Sequence, residues 1–98
     1  MKVENLTNDR GNKAANQFVI KTDNAIYFQS YDSLICKYSE GKIYLTPLWN
    51  YSATTRKHLY IFLRDYCNHS LNCSHKMGEI KNLIDDGTFK IIYTMKVS

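Results

Sequence analysis

Four residues near the end of the chain carry side chains that could bind a metal ion. Cys67, His69, Cys73 and His75 fall within nine residues, and thiolate and imidazole groups are the ligands that zinc prefers. Most zinc sites, however, take two ligand pairs that are separated by a longer stretch of chain. A buried Cys67 that closes a helix, with solvated histidines after it, explains the same residues. We therefore predict no bound cofactor and keep these four as the candidate metal ligands.

The sequence holds little of what a catalytic site requires. It contains no glycine-rich phosphate loop, no His-Glu-x-x-His pattern and no nucleophile elbow. Cys36 falls in a predicted strand, where a free cysteine behaves as a small core residue. A cysteine–histidine nucleophile would also need an oxyanion hole, typically at a glycine-rich turn or a helix N-terminus, and the chain has four glycines. We predict that the protein is not an enzyme.

Cations recur on one face of a predicted helix. Arg56, Tyr60 and Arg64 are spaced at i, i+4 and i+8, with Lys57 beside them. Such a stripe could follow nucleic-acid phosphates, with the tyrosine ring available to stack on a base. It could equally meet an acidic protein surface, and an ordinary solvated helix face has the same pattern. We keep these four residues as candidates for partner binding.

Tyrosines form the third feature of interest. Alternation in the predicted strands places Tyr27 and Tyr44, with Val19 and Ile35, on the sheet face opposite the helices. A single-layer sheet would leave this face open, and exposed aromatic patches mark interfaces. We predict that Tyr27 and Tyr44 contact a partner. The N-terminal residues or a second copy of the chain, as a homodimer, are the alternatives that could cover them.

Length, composition and charge indicate the class of protein that carries these residues. The chain has 98 residues, 44% of them hydrophobic, and a net charge of +4, which predicts one small, mildly basic globular domain spanning residues 1–98. No apolar run approaches the length of a membrane span, and the first residues lack the apolar region of a signal peptide. Three cysteines, an odd number, favour free thiols. We therefore predict a cytoplasmic protein that does not contact membranes.

Hydrophobic periodicity predicts an α+β fold in the order β-β-β-β-α-α-β. Residues 1–16 are polar and predict a loose leader or a short edge strand at Lys2–Leu6. The predicted elements after them are four strands (Gln17–Thr22, Ala25–Ser30, Ser33–Tyr38 and Lys42–Thr46), two helices (Ala53–Cys67 and His75–Asp86) and a last strand (Phe89–Val97). Short connections make the strands antiparallel neighbours. The result is an antiparallel sheet of four to five strands with both helices packed on one face.

Three stretches of the sequence resemble a group of small proteins, of unassigned function, that phages and other mobile elements encode. The stretches are Asn16–Ile20, Tyr27–Ser33 with its Phe-Gln-Ser-Tyr-Asp-Ser motif, and Trp49–Lys57 with its Tyr-Ser-x-Thr-Thr-x-Lys motif. The resemblance covers about residues 10–65 and implies an accessory gene expressed in a bacterial cytoplasm. Many small proteins of that context inhibit host defence, including anti-CRISPR proteins that occupy surfaces of a nuclease.

The residues of these motifs also have a local structural explanation. Tyr31-Asp32 fits a turn whose carboxylate bonds back to the backbone, and Ser52 fits a helix N-cap. The functional alternative is a polar contact patch formed by Gln29, Tyr31, Thr54, Thr55, Arg56 and Lys57. We expect a binding protein that inhibits a host defence nuclease, such as a CRISPR effector, through protein–protein contact. The alternative is a small nucleic-acid-binding accessory protein that uses the basic helix face.

Overall fold

Tight turns fold the first half of the chain into a continuous antiparallel meander. The computed structural model describes residues 1–69 and 77–97, with Met77 described by its backbone alone. The strands are β1 Lys2–Thr7, β2 Lys13–Lys21, β3 Ile26–Ser30, β4 Ser33–Ser39 and β5 Lys42–Leu45. Each pairs with the next in sequence. The β4–β5 hairpin turns through Glu40 and Gly41, both at positive φ, the conformation that a two-residue turn requires.

Two helices follow the meander, after a 3-10 turn at Pro47–Asn50. They are α1 Ala53–Tyr66 and α2 Met77–Asp85. Ser52 caps α1, because its Oγ accepts a hydrogen bond from the Thr55 backbone N–H at 3.1 Å. The spacing of Leu59, Phe62, Leu63 and Tyr66 at i, i+3, i+4 and i+7 predicts one buried face of α1. The structure confirms this face, with the first three side chains fully buried against the sheet and Tyr66 partly buried. Among the described residues, neither helix is long and apolar enough to cross a membrane.

The last strand corrects the predicted sheet. Phe89–Ile91 forms a short strand β6 that pairs with β5 in parallel, so the sheet of the described residues has six strands, mostly antiparallel, in sequence order. The prediction of four to five antiparallel strands missed this pairing and left β1 undecided. The predicted strand Phe89–Val97 is too long, because the chain leaves the sheet edge after Ile91 and crosses its other face.

Strand β2 also corrects the predicted sheet faces. Val19 lies opposite Phe28 and Ile20 lies opposite Tyr27, so Val19 joins the helix-side core and Ile20 joins the far side. The prediction was wrong here because three consecutive apolar residues, Phe18-Val19-Ile20, do not define a face by alternation. Ile35 was also placed on the far side. A β-bulge in β4, where the register shifts between Phe28 and Gln29, turns Ile35 into the helix-side core.

The sheet face opposite the helices is partly covered by the chain's own C-terminal residues. Met95 and Val97 pack against a small cluster of Ile20, Ala25 and Tyr27. Tyr27 is 0% exposed, so the prediction that it lies open on this face for partner contact is wrong. Met95 and Val97 cover it from within the chain, and a homodimer through the rest of this face stays a prediction. Sequence alternation indicated the side of the sheet correctly but could not show that a later segment crosses it.

Candidate functional site

A pocket of about 530 Å³ opens between the β3–β4 hairpin and the N-terminal end of α1. Its volume falls in the range of pockets that bind small molecules or inserted side chains. Hydroxyl and aromatic side chains dominate the wall, with one carboxylate. The lining residues are Ser30, Tyr31, Asp32, Ser33, Ile35, Leu48, Tyr51, Ser52, Thr54 and Thr55.

The β3–β4 hairpin forms one wall of the pocket, and its backbone is strained at Tyr31. Tyr31 has a φ of 55°, in the left-handed region that bulky residues seldom adopt. Its N–H donates to the Asn16 carbonyl at 2.7 Å, and its own carbonyl accepts from the Gln29 side-chain amide at 2.7 Å. Both backbone groups of Tyr31 are therefore fixed, and the ring, 59% exposed, is displayed at the pocket mouth.

The opposite wall of the pocket consists of the 3-10 turn and the start of α1, and Thr46 connects it to the sheet through hydrogen bonds. The Thr46 N–H donates to the Ile35 carbonyl at 2.9 Å, and its hydroxyl donates to the Leu34 carbonyl at 2.7 Å. The 3-10 turn begins at the next residue and leads directly to the Ser52 cap of α1. These two hydrogen bonds therefore hold the start of the 3-10 turn against β4, the strand that carries the pocket residue Ile35.

Exposed apolar side chains are concentrated at the mouth of this pocket. Six large apolar side chains are exposed among the described residues, and three of them line this pocket: Tyr31, Leu48 and Tyr51. Tyr51 is 79% exposed. Tyrosine is enriched among the interface residues that contribute most of the binding free energy, because its ring provides contact area and its hydroxyl can form a hydrogen bond. The arrangement suits the insertion of a partner's side chain.

The predicted polar contact patch is partly assembled here. Tyr31, Thr54 and Thr55 line the pocket, whereas Arg56 and Lys57 do not. Gln29 acts from behind the wall, through its bond to the Tyr31 carbonyl. The expected backbone bond of the Asp32 carboxylate is not found among the described residues. Sequence reasoning missed Leu48 and Tyr51, although two apolar residues beside a proline and an N-cap serine were a usable signal.

The basic helix face differs from its prediction. Tyr60 is 5% exposed and unavailable for stacking, because α1 is buried continuously from Leu59 to Leu63. Arg64 bonds to Asp65 at 2.8 Å and to Asp9 at 3.0 Å. Both bonds raise the pKa of its guanidinium, the one to Asp65 more. Arg56 donates to the Asn50 side chain at 2.8 Å. Lys57 is exposed. Because Tyr60 is buried and both arginines bind other side chains of the protein, the four residues do not form a continuous track of free cations.

Tyr44 lies on the far sheet face, as predicted, next to a lysine. Lys37 sits between Tyr27 and Tyr44 in register, with its Nζ 5.9 Å from each ring centroid. An ammonium at this distance is attracted to both rings. The half-buried Tyr44 is thus part of an intramolecular cation–π row, and its contact with a partner stays a prediction.

The candidate metal ligands are not brought together by the described part of the chain. Within residues 1–69 and 77–97, no three His, Cys, Asp or Glu side chains are grouped closely enough to hold a metal. Cys67 is buried, and the His69 ring packs edge-on against Phe89 at 5.4 Å. Cys73 and His75 lie outside the described residues, so the four-residue cluster stays a prediction.

Cys36 and Cys67 are expected to resist alkylation in the folded protein. Burial raises the pKa of the Cys36 thiol well above its usual value, and burial raises that of Cys67 to about 12; the thiolate is the reactive form. Iodoacetamide at pH 8, followed by peptide mass spectrometry, should leave both unmodified, whereas urea-unfolded protein should react at both. Native labelling of Cys67 at the unfolded rate would contradict the burial.

Fold and site together define a small α+β protein that presents a tyrosine-rimmed pocket between a hairpin and a helix end. Residues 1–79 match a family of unknown function, DUF8033, and the chain belongs to that family. Every residue lining the pocket falls within the matched part, whereas β6 and the C-terminal residues that cover Tyr27 fall after it. No curated protein and no solved structure matches the chain significantly.

Proposed function

We propose that the protein is a non-catalytic binding protein that docks a partner protein at this tyrosine-rimmed pocket. The observation that carries the proposal is the convergence of Tyr31, Leu48 and Tyr51, three exposed apolar side chains, on one concave site. An interface typically centres on a few such anchors around a pocket. The hydroxyl groups of the wall supply the hydrogen bonds that fix orientation.

The resemblance to phage and mobile-element proteins narrows the partner. In that setting the proposed partner is a host defence nuclease, of the CRISPR effector kind, which the protein inhibits by occupying a surface. Inhibition of this sort requires affinity and no reaction. The lining of the pocket suits such contact, since its walls combine aromatic rings with hydroxyl groups that can donate and accept hydrogen bonds.

The test is an interference assay with matched tyrosine variants. Bacteria with a defined CRISPR system are challenged with a targeted phage while they express the chain, and restored plaques report inhibition. Tyr51→Ala is expected to weaken partner affinity about 30-fold, the cost of one strong interface anchor. Tyr93→Ala is the control, because Tyr93 is 84% exposed and lies outside the pocket lining.

Two outcomes would reject the proposal. If no system in a panel of defence nucleases is inhibited, the partner class is wrong. If Tyr51→Ala and Tyr93→Ala behave alike in a pull-down of the inhibited nuclease, the pocket is not the contact. A different set of results would support the basic helix face: the protein binds nucleic acid and no protein, its affinity falls steeply as salt rises, and Lys57→Gln lowers that affinity.

A further inference from the structure

The pocket wall carries one charged side chain, the carboxylate of Asp32. Asp32 is exposed at the tip of the β3–β4 hairpin, and no hydrogen bond or ion pair satisfies it within the described residues. Three other carboxylates, by contrast, pair with a cation: Glu4 lies 2.8 Å from Lys21, and Asp9 and Asp65 both bind Arg64. In a chain of net charge +4, the pocket therefore presents a localised negative charge.

Two tyrosine side chains line the same pocket as this carboxylate, one from each wall. Tyr31 precedes Asp32 in the hairpin, and Tyr51 lines the pocket from the segment before α1. Exposed tyrosine faces attract cations, and the planar guanidinium of arginine stacks on them better than an ammonium does. A guanidinium can also donate two parallel hydrogen bonds to one carboxylate. A carboxylate beside two rings is thus complementary to an arginine side chain.

The helix end offers a weaker competing attraction for anions. The N-terminus of α1 has positive electrostatic character, but the Thr55 N–H already donates to Ser52 Oγ. An anion in the pocket would also approach the Asp32 carboxylate. We infer that the pocket takes an arginine side chain presented by the partner protein, an inference that rests on the proposed docking function.

The inference is tested by titrating the ¹⁵N-labelled chain with N-acetyl-arginine amide. The backbone amide signals of Asp32, Ser33 and Thr54 are expected to shift. N-acetyl-citrulline amide is the matched probe, since it is nearly isosteric and uncharged. Asp32→Asn is the matched variant, because it removes the charge at an exposed position without a hydrogen bond, and should weaken arginine binding about fivefold to tenfold.

Three results would overturn the inference: equal binding of citrulline and arginine, arginine binding unchanged by Asp32→Asn, or shifts at these amides with inorganic phosphate and none with arginine. Its failure is separable from that of the proposed function. If Tyr51→Ala abolishes nuclease inhibition while arginine does not bind, the pocket docks the partner through another side chain. If arginine binds while nuclease inhibition is insensitive to Tyr51→Ala, the docking function is wrong.

Discussion

Replacing Phe62 with alanine is expected to lower the free energy of unfolding by about 3–5 kcal/mol. Phe62 is fully buried and stacks between two rings, with its centroid 5.6 Å from that of Phe28 and 5.5 Å from that of Tyr66. The substitution removes the ring through which α1 contacts β3 and leaves a cavity. A domain of this size has about 5–15 kcal/mol in total, so the loss is a large fraction.

The measurement is urea unfolding followed by circular dichroism. Tyr93→Ala is the control for loss of an aromatic ring, since its ring is exposed, and should change stability by less than about 0.5 kcal/mol. Phe62→Leu, which refills much of the cavity, should recover part of the loss. A Phe62→Ala protein that unfolds at the wild-type urea concentration would show that α1 does not pack on the sheet in this way.

Local sequence patterns were sufficient to predict most elements of the fold. The spacing of Leu59, Phe62 and Leu63 and the N-cap Ser52 predicted α1 to within one residue of its observed end. Periodicity could not predict that Tyr60 is buried, because its burial depends on how far the neighbouring elements extend around the helix. It did predict a last strand from the alternation of Phe89–Val97, but it could not predict that this strand ends at Ile91 and pairs with β5 in parallel, because alternation does not indicate strand direction or partner.

The candidate site was harder to predict because it is built from residues distant in sequence. The motifs drew attention to Tyr31 and Thr54, yet the pocket depends on Thr46, which joins the 3-10 turn to β4 through hydrogen bonds. Such long-range backbone contacts leave no periodic signal. Tyr31 itself was identified as a turn residue. Its left-handed backbone was unexpected, because glycine or asparagine usually occupies that conformation.

Tyr31→Gly is expected to separate stability from binding. Glycine adopts a φ of 55° without steric strain, and the tyrosine ring is more than half exposed. The relief of about 1–2 kcal/mol of left-handed strain is partly offset by the greater chain entropy of glycine and by the loss of the ring's remaining contacts. The free energy of unfolding should therefore stay level or rise by up to about 1 kcal/mol.

Partner binding should respond in the opposite direction. Loss of the displayed ring is expected to weaken affinity for the proposed nuclease partner about 30-fold or more, as measured by surface plasmon resonance beside urea unfolding of the same samples. Glu40→Gly is the matched control, because Glu40 has a φ of 54°, is exposed, and does not line the pocket. It should retain binding.

The combination of the two measurements decides why a tyrosine occupies this position. A ring needed for packing would make Tyr31→Gly less stable by more than 1 kcal/mol, and binding would fall only through unfolding. A ring kept for contact would leave a stable protein that no longer binds. Strained residues persist where the surrounding structure holds them in place for a function, and here the bonds from Tyr31 to Asn16 and from Gln29 to Tyr31 do the holding.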